Sequence, residues 1–269
     1  MPRPRESTTG PDPEDTSLWT FVRGRRRHRP PPQPPTRRQG QASTGSRSAA
    51  DVTAEHDRVR GAWLQTGCCA ELRSIVASSG CLVDGALCLG IGSFASDEGR
   101  SEARRMSFLQ LVAFAVMVEE LEKITGSSIP SIFQEPLFTP ADRQFLTSLG
   151  YQVVETPEGY NHTSRHSFIF GIHLYRPVYA MALSAHLPAL FVGTGLSVWE
   201  SVSLSESPDL DNLKTMHQHY ARAAFPQDES SSAFSSTTIY WRPSESNESA
   251  SQPGQKEPSR DEEPYPPRE

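Results

Sequence analysis

The sequence predicts a mainly parallel, doubly wound α/β sheet of the Rossmann type with disordered tails at both ends. Three observations predict it. Ala86-Leu87-Cys88-Leu89 is an unbroken apolar run entering Gly90-Ile91-Gly92, as a strand buried on both faces does when it turns tightly at its carboxyl end. From there to residue 225, apolar runs of strand length alternate with helical segments, the pattern of a parallel sheet with crossover helices. Composition then shifts at both ends. Only 36% of the 269 residues are hydrophobic and 23 are proline, and both departures come from the ends.

Residues 1–50 hold ten arginines against four acids and read as a mostly disordered, basic Pro/Arg-rich tail. Within it lie a short aromatic island at 17–22 and a basic run bounded by Arg23 and Arg29. That run reads first as a solvated charge run, and also suits nuclear import, an acidic partner or weak nucleic-acid contact. Residues 51–243 form the predicted domain. Residues 51–79 carry Val52, Val59, Trp63, Leu72 and Val76 near helical spacing, with Asp51 as N-cap. Gly61 and Gly67 favour two shorter helices, and Gly80 ends the region. After the strand at 86–89, a long helix spans 101–125 and stops at Gly126.

A second strand covers 129–133. Thr139-Pro140-Ala141-Asp142 then starts a helix, with Thr at N-cap, Pro at N1 and an acid at N3. That helix runs to Leu149 and stops at Gly150. A third strand follows at 151–155, a polar loop at 157–165, a fourth strand at 167–174, a helix at 177–186 and a fifth strand at 189–192. A last helix is predicted over 209–225 and a final strand, at a sheet edge, over 234–241. Residues 244–269 read as a disordered acidic tail.

Charge and motifs exclude several function classes. The stated net charge of −6, with a basic start and an acidic end, leaves an acidic middle, and nucleic-acid binding by such a domain is disfavoured. No apolar run of about 18 residues is present, so no membrane span is expected. The start of the sequence does not read as a signal peptide. Four cysteines without ligand spacing imply a reducing compartment, cytoplasm or nucleus. No metal site is expected, since His217 and His219 are two apart on a helix. No catalytic residue can be named, because no paired nucleophile and base is visible.

In an open α/β sheet, ligands sit at the carboxyl ends of the strands. The candidate ligand-binding residues there are Gly90, Gly92, Ser93, Glu135, His173, Gly193 and Thr194. Gly90 to Ala95 reads Gly-x-Gly-x-x-Ala, whose backbone N–H groups suit an anion, while Asp97 and Glu98 oppose a phosphate. Glu135 suits ribose hydroxyls, although it lies 43 residues beyond Gly92 rather than about 20. His173 reads either as an acid/base or as a histidine satisfied at a strand end. S-adenosylmethionine or a nucleotide is the compatible cofactor class.

The blocks Trp19-Thr20-Phe21-Val22, Leu89-Gly90-Ile91-Gly92-Ser93-Phe94, Phe108-Leu109-Gln110-Leu111 and Glu135-Pro136-Leu137-Phe138-Thr139 follow one another in order. So do Phe168-Ile169-Phe170-Gly171-Ile172-His173, Leu190-Phe191-Val192-Gly193 and Thr237-Thr238-Ile239-Tyr240-Trp241. In this order they resemble the SRR-like domain family, the "sensitivity to red light reduced" proteins. The resemblance implies a regulatory protein acting through protein partners, in signalling or in circadian or growth control, with no established molecular activity. The chain departs from the usual family pattern at Glu135, Ile172 and Thr194. The alternative reading is a nucleotide- or S-adenosylmethionine-binding, methyltransferase-like enzyme.

Overall fold

The computed structural model describes residues 47–96, 101–202, 208–227 and 231–243. The aromatic island, the basic run and the acidic stretch beyond residue 243 lie outside the described residues. The strands are β1 (Gly85–Leu89), β2 (Ser131–Gln134), β3 (Gln152–Val154), β4 (Ser167–Gly171), β5 (Leu190–Thr194), β6 (Ala221–Ala224) and β7 (Thr237–Trp241). They form one sheet in the order β3-β2-β1-β4-β5-β7-β6. The first five strands are parallel, and β7 runs antiparallel to both β5 and β6. Strand order reverses beside β1: β2 and β3 extend the sheet to one side, β4 and β5 to the other.

Seven helices among the described residues cover the sheet: α1 (Ala49–Trp63), α2 (Gly67–Ser79), α3 (Ser101–Thr125), α4 (Pro140–Ser148), α5 (Arg176–Leu183), α6 (Leu196–Val202) and α7 (Asp211–His219). The period-2 alternation of β1 divides them. Ala86 and Cys88 point into a core with α1 to α4, while Leu87 and Leu89 point into a second core with α5 to α7. Both faces of β1 are therefore dry, which is why its sequence is continuously apolar. No helix among the described residues is long and apolar enough to cross a membrane.

The centre of the first core is aromatic. The Phe114 ring of α3 lies against Phe133 at 5.1 Å, Phe168 at 5.5 Å and Phe170 at 5.7 Å, so one side chain spans β2 and β4 across β1. An ion-pair network fastens the outer helices to α3: Arg73 of α2 binds Glu119 at 2.9 Å and also Glu120, while Arg60 of α1 reaches Glu119 at 3.3 Å.

Local signals set most boundaries. Gly80, Gly126 and Gly150 take left-handed backbone where α2, α3 and α4 end. Thr139 caps α4 and forms a capping box with Asp142, as its sequence dictates. The helical region divides into two helices, as Gly61 and Gly67 allow, where Thr66 starts α2 by accepting the Cys69 N–H at 3.2 Å.

Several expectations are corrected. The N-cap of α1 is Ser48, and Asp51 sits at N3, where its carboxylate accepts the Ser48 N–H at 3.2 Å. The fourth strand ends at Gly171, not residue 174, and His173 then takes left-handed backbone with φ of 57°. The predicted helix over 209–225 is α7 followed by β6, because the alternating exposure of residues 221–224 fits an edge strand. β7 is consequently interior, between β5 and β6, and β6 takes the edge. The short helix α6 was not anticipated.

Truncating Phe114 to Ala should cost about 3–5 kcal/mol, because a fully buried ring is replaced by a void lined by four other aromatic side chains. Urea denaturation monitored by circular dichroism measures it, and a loss below about 1 kcal/mol would contradict this packing.

Candidate functional site

The carboxyl ends of β1, β2, β4 and β5 meet at the reversal of strand order, where ligands of open α/β sheets bind. The loop after β1 begins with Gly90 at φ 64° and Gly92 at φ 83°. Both conformations favour glycine. A Cβ at Gly90 would also fall 2.2 Å from Leu174 Cδ2, and one at Gly92 2.9 Å from Ser107 Oγ.

The loop's N–H groups have partners within the chain. Gly90 N–H donates to the Gln134 carbonyl at 3.0 Å. Gly92 N–H donates to Glu135 Oε2 at 2.9 Å, and the other Glu135 oxygen accepts Leu137 N–H at 2.9 Å. Glu135 is buried and clasps the glycine loop to its own turn. Asp142, at 0% exposure, does the same one step further on. Its Oδ1 accepts the N–H groups of Phe94 and Ala95, both at 2.9 Å. Its Oδ2 accepts the Ser93 hydroxyl at 2.7 Å, the Thr139 N–H at 2.8 Å and the Thr139 hydroxyl at 2.9 Å.

These contacts decide what the loop can accept. An anion-binding turn needs free N–H groups. Here two carboxylates of the chain already take the N–H groups of Gly92, Phe94 and Ala95, so these three are not open to a phosphate.

Across the reversal point, Leu174 packs over Gly90 and Gly171. His173 is exposed, and its Nε2 lies 2.8 Å from the Ser235 carbonyl, so the ring fastens the β4–α5 loop to the β6–β7 connection. Of the non-glycine residues described, His173 and Ser236 are the two with positive φ, and they flank this one hydrogen bond. Thr194 is buried; its N–H donates to the Tyr179 hydroxyl at 3.0 Å, and Tyr179 donates to the Gly171 carbonyl at 2.7 Å. A Cβ at Gly193 would meet the Phe191 ring at 2.6 Å. The structure thus joins Gly92 to Glu135 and Ser93 to Asp142, while His173, Gly193 and Thr194 bond to other groups.

Sequence reasoning assigned Asp142 to helix capping alone and did not single out Tyr179 or Leu174. Only the Thr139–Asp142 spacing pointed to Asp142, and it says nothing about a loop 47 to 49 residues earlier.

Cys88 beneath the loop is a poor nucleophile. Burial, reinforced by the charge of Glu135, pushes its thiol well above the ordinary range. Among the described residues no group of three His, Cys, Asp or Glu is placed to hold a metal ion.

A second cleft, about 340 Å³, is lined by His56, Asp57, Arg60, Ala115, Glu119, Leu149 and Tyr151. The His56 ring sits edge-on against Phe145 at 5.4 Å. Burial lowers its pKa from 6.5, opposed by the Asp57 carboxylate, and burial pushes Tyr151 up to about 12. Both side chains are therefore neutral near pH 7.

Replacing Asp142 by Asn should destabilise the fold by at least about 3 kcal/mol, since an amide cannot accept from every N–H that converges there. Equilibrium unfolding would read it, and a loss under about 1 kcal/mol would overturn the assignment. For His56 the folded-state pKa lies below the unfolded value. Its contribution is therefore complete above pH 6.5 and is lost as pH falls through the folded value. His56→Phe should flatten the fall in stability as the pH drops below 6.5. An unchanged slope would remove His56 as its source.

The SRR1 domain model matches residues 68–241. No curated protein matches the chain. Two solved structures are weakly similar to the chain. One is the methyltransferase PaMTH1 of Podospora anserina bound to SAH, 10% identical, with a TM-score of 0.36 and covering 76% of this chain and 92% of that one. The other is the plantazolicin methyltransferase BpumL in complex with SAH, 10% identical, with a TM-score of 0.31 and covering 72% and 90%. At such low scores neither likeness bears on activity.

Proposed function

We propose that this chain, which belongs to the SRR1 domain family, is a regulatory protein that works by binding protein partners, in signalling or in circadian or growth control, in the cytoplasm or nucleus. One observation carries the reading. At the carboxyl ends of the strands, the N–H groups of the glycine loop are held by Glu135 and Asp142, while large apolar side chains on the neighbouring loops face solvent. Leu137, after β2, is 71% exposed, and Tyr175, after β4, is 77% exposed. β2 and β4 are the two neighbours of β1, so these side chains flank the reversal point. Exposed aromatic and aliphatic groups beside a rigid, internally satisfied scaffold suit protein recognition. None of the four cysteines is in a disulfide, which accords with a reducing compartment.

The second reading, an S-adenosylmethionine- or nucleotide-binding enzyme, draws support from one placement. Gly90 and Gly92, both at positive φ, stand at the reversal point in contact with Glu135.

A paired experiment separates the two. Leu137→Asp with Tyr175→Asp alters only exposed side chains and should change stability by no more than about 1 kcal/mol. The regulatory reading expects proteins captured by the wild-type chain from its own cells to be lost with this variant. The cofactor reading expects instead a thermal shift with S-adenosylmethionine, a nicotinamide dinucleotide, ATP or GTP. A ligand at about 100 times its Kd stabilises by about 2.7 kcal/mol. Capture indifferent to the variant, together with such a shift, would overturn the first reading.

A further inference from the structure

We propose that the cleft between α1, α3 and the turn from α4 to β3 is a binding site for a small neutral polyol the size of a cyclic monosaccharide. None of its lining residues belongs to the strand ends, and the site does not depend on the reading given above for them. Its volume is about 340 Å³, within the range of small-molecule sites. Its walls come from three uninterrupted stretches of chain, 56–60, 115–119 and 149–151.

Two polar side chains of the lining are held by the aromatic core yet keep open hydrogen-bonding capacity. His56 is 5% exposed, and its ring is fixed edge-on to Phe145. Its Nδ1 lies 3.2 Å from Asp57 Oδ1. A carboxylate can only accept, so in the neutral ring the proton sits on Nδ1 and Nε2 is left as an acceptor. Among the described residues nothing donates to Nε2. Buried polar groups are normally paired, and a buried ring nitrogen that is not marks a place for a partner from outside the chain. Tyr151 packs its ring against Phe133 at 4.8 Å and Phe114 at 6.1 Å. Its hydroxyl has no hydrogen-bond partner among the described residues. Burial keeps that phenol protonated, and the charges of Glu119 and Arg60 act on it as well.

The remaining groups decide the charge of the ligand. Arg60 and Glu119 face one another at 3.3 Å, and Arg73 holds Glu119 at 2.9 Å from the other side. Asp57 stands at the mouth with its side chain 68% exposed. The lining thus sets Asp57 and Glu119 against an anion and Arg60 against an ammonium group. The hydrogen-bonding groups then decide its chemistry. Nε2 of His56 needs a donor, the spare N–H groups of Arg60 need an acceptor, and the Tyr151 hydroxyl serves as either. Neighbouring hydroxyls on one ring meet all three, because each both donates and accepts. Leu149 and Ala115 give the C–H face of such a ring an apolar contact.

The test uses the full chain, with myo-inositol and D-glucose as probes and cyclohexanol and glucose-6-phosphate as controls. Saturation-transfer NMR reads binding, and the ring nitrogen shifts of His56, identified by their loss in His56→Phe, place it. Both polyols should bind at millimolar concentration and move the Nε2 resonance. Cyclohexanol, with a single hydroxyl, should bind at least about tenfold more weakly, and the phosphate no more tightly than glucose. Tyr151→Phe and His56→Phe each keep an aromatic ring in its packing position, and each should weaken the polyols about three- to tenfold. Leu149→Trp, at an exposed position on the rim, should block the cleft without touching the core, and melting curves check that every variant is folded. No polyol binding at millimolar concentration, tighter binding of cyclohexanol or of the phosphate, or an affinity indifferent to both Tyr151→Phe and Leu149→Trp would each overturn the proposal.

Discussion

The turn that leaves the central strand depends on the buried carboxylate of Asp142. It gathers three donors from the loop after β1 and two from the start of α4. A loop leaving a buried strand carries N–H groups that water cannot reach, and each unpaired one is costly. Asp142 meets that need from a helix that its own capping box has already started. The same carboxylate therefore ends one problem of backbone satisfaction through Oδ1 and begins a helix through Oδ2. Glu135 repeats the device for Gly92, so two acids from the second crossover hold the first turn in place. Charge-assisted hydrogen bonds of this kind are among the stronger ones available to a folded chain.

The opposite half of the strand ends is organised by Tyr179. Its hydroxyl joins the ends of β4 and β5 through Gly171 and Thr194, and its ring packs edge-on against Phe191 at 5.7 Å. Leu174 then lies across the gap to β1. The crevice of the parallel sheet is thus framed on one side by carboxylates and on the other by a phenol and a leucine. This frame explains why glycine is needed at 90: the left-handed backbone and the close approach of Leu174 both exclude a side chain.

Much of the fold was legible because its signals are local. The apolar run of β1, the wide face of α3 and the Thr-Pro-x-Asp start of α4 each declare themselves within a few residues. The strand ends were legible as a place, since the parallel architecture fixes where loops converge. Their contents were not. Asp142 bonds residues nearly fifty positions away, and Tyr179 bonds Thr194 across a strand. Hydrophobic periodicity carries no information about such partners. Residues 221–224 were misread for a related reason. Ala221-Arg222-Ala223-Ala224 has good helix propensity, and only pairing with Thr238 to Trp241 makes it a strand.

The insertion of β7 between β5 and β6 also governs the order in which the molecule can assemble during synthesis. Among the described strands β6 pairs only with β7, and β7 follows the other six in the chain. While the ribosome still shields residues 237–241, five parallel strands can already have paired, yet the outer edge of β5 stays bare. An unpaired edge is a template for other chains. Any state in which β7 has not docked therefore leaves the outer edge of β5 open to strand addition by another chain, and pairing with β7 closes it.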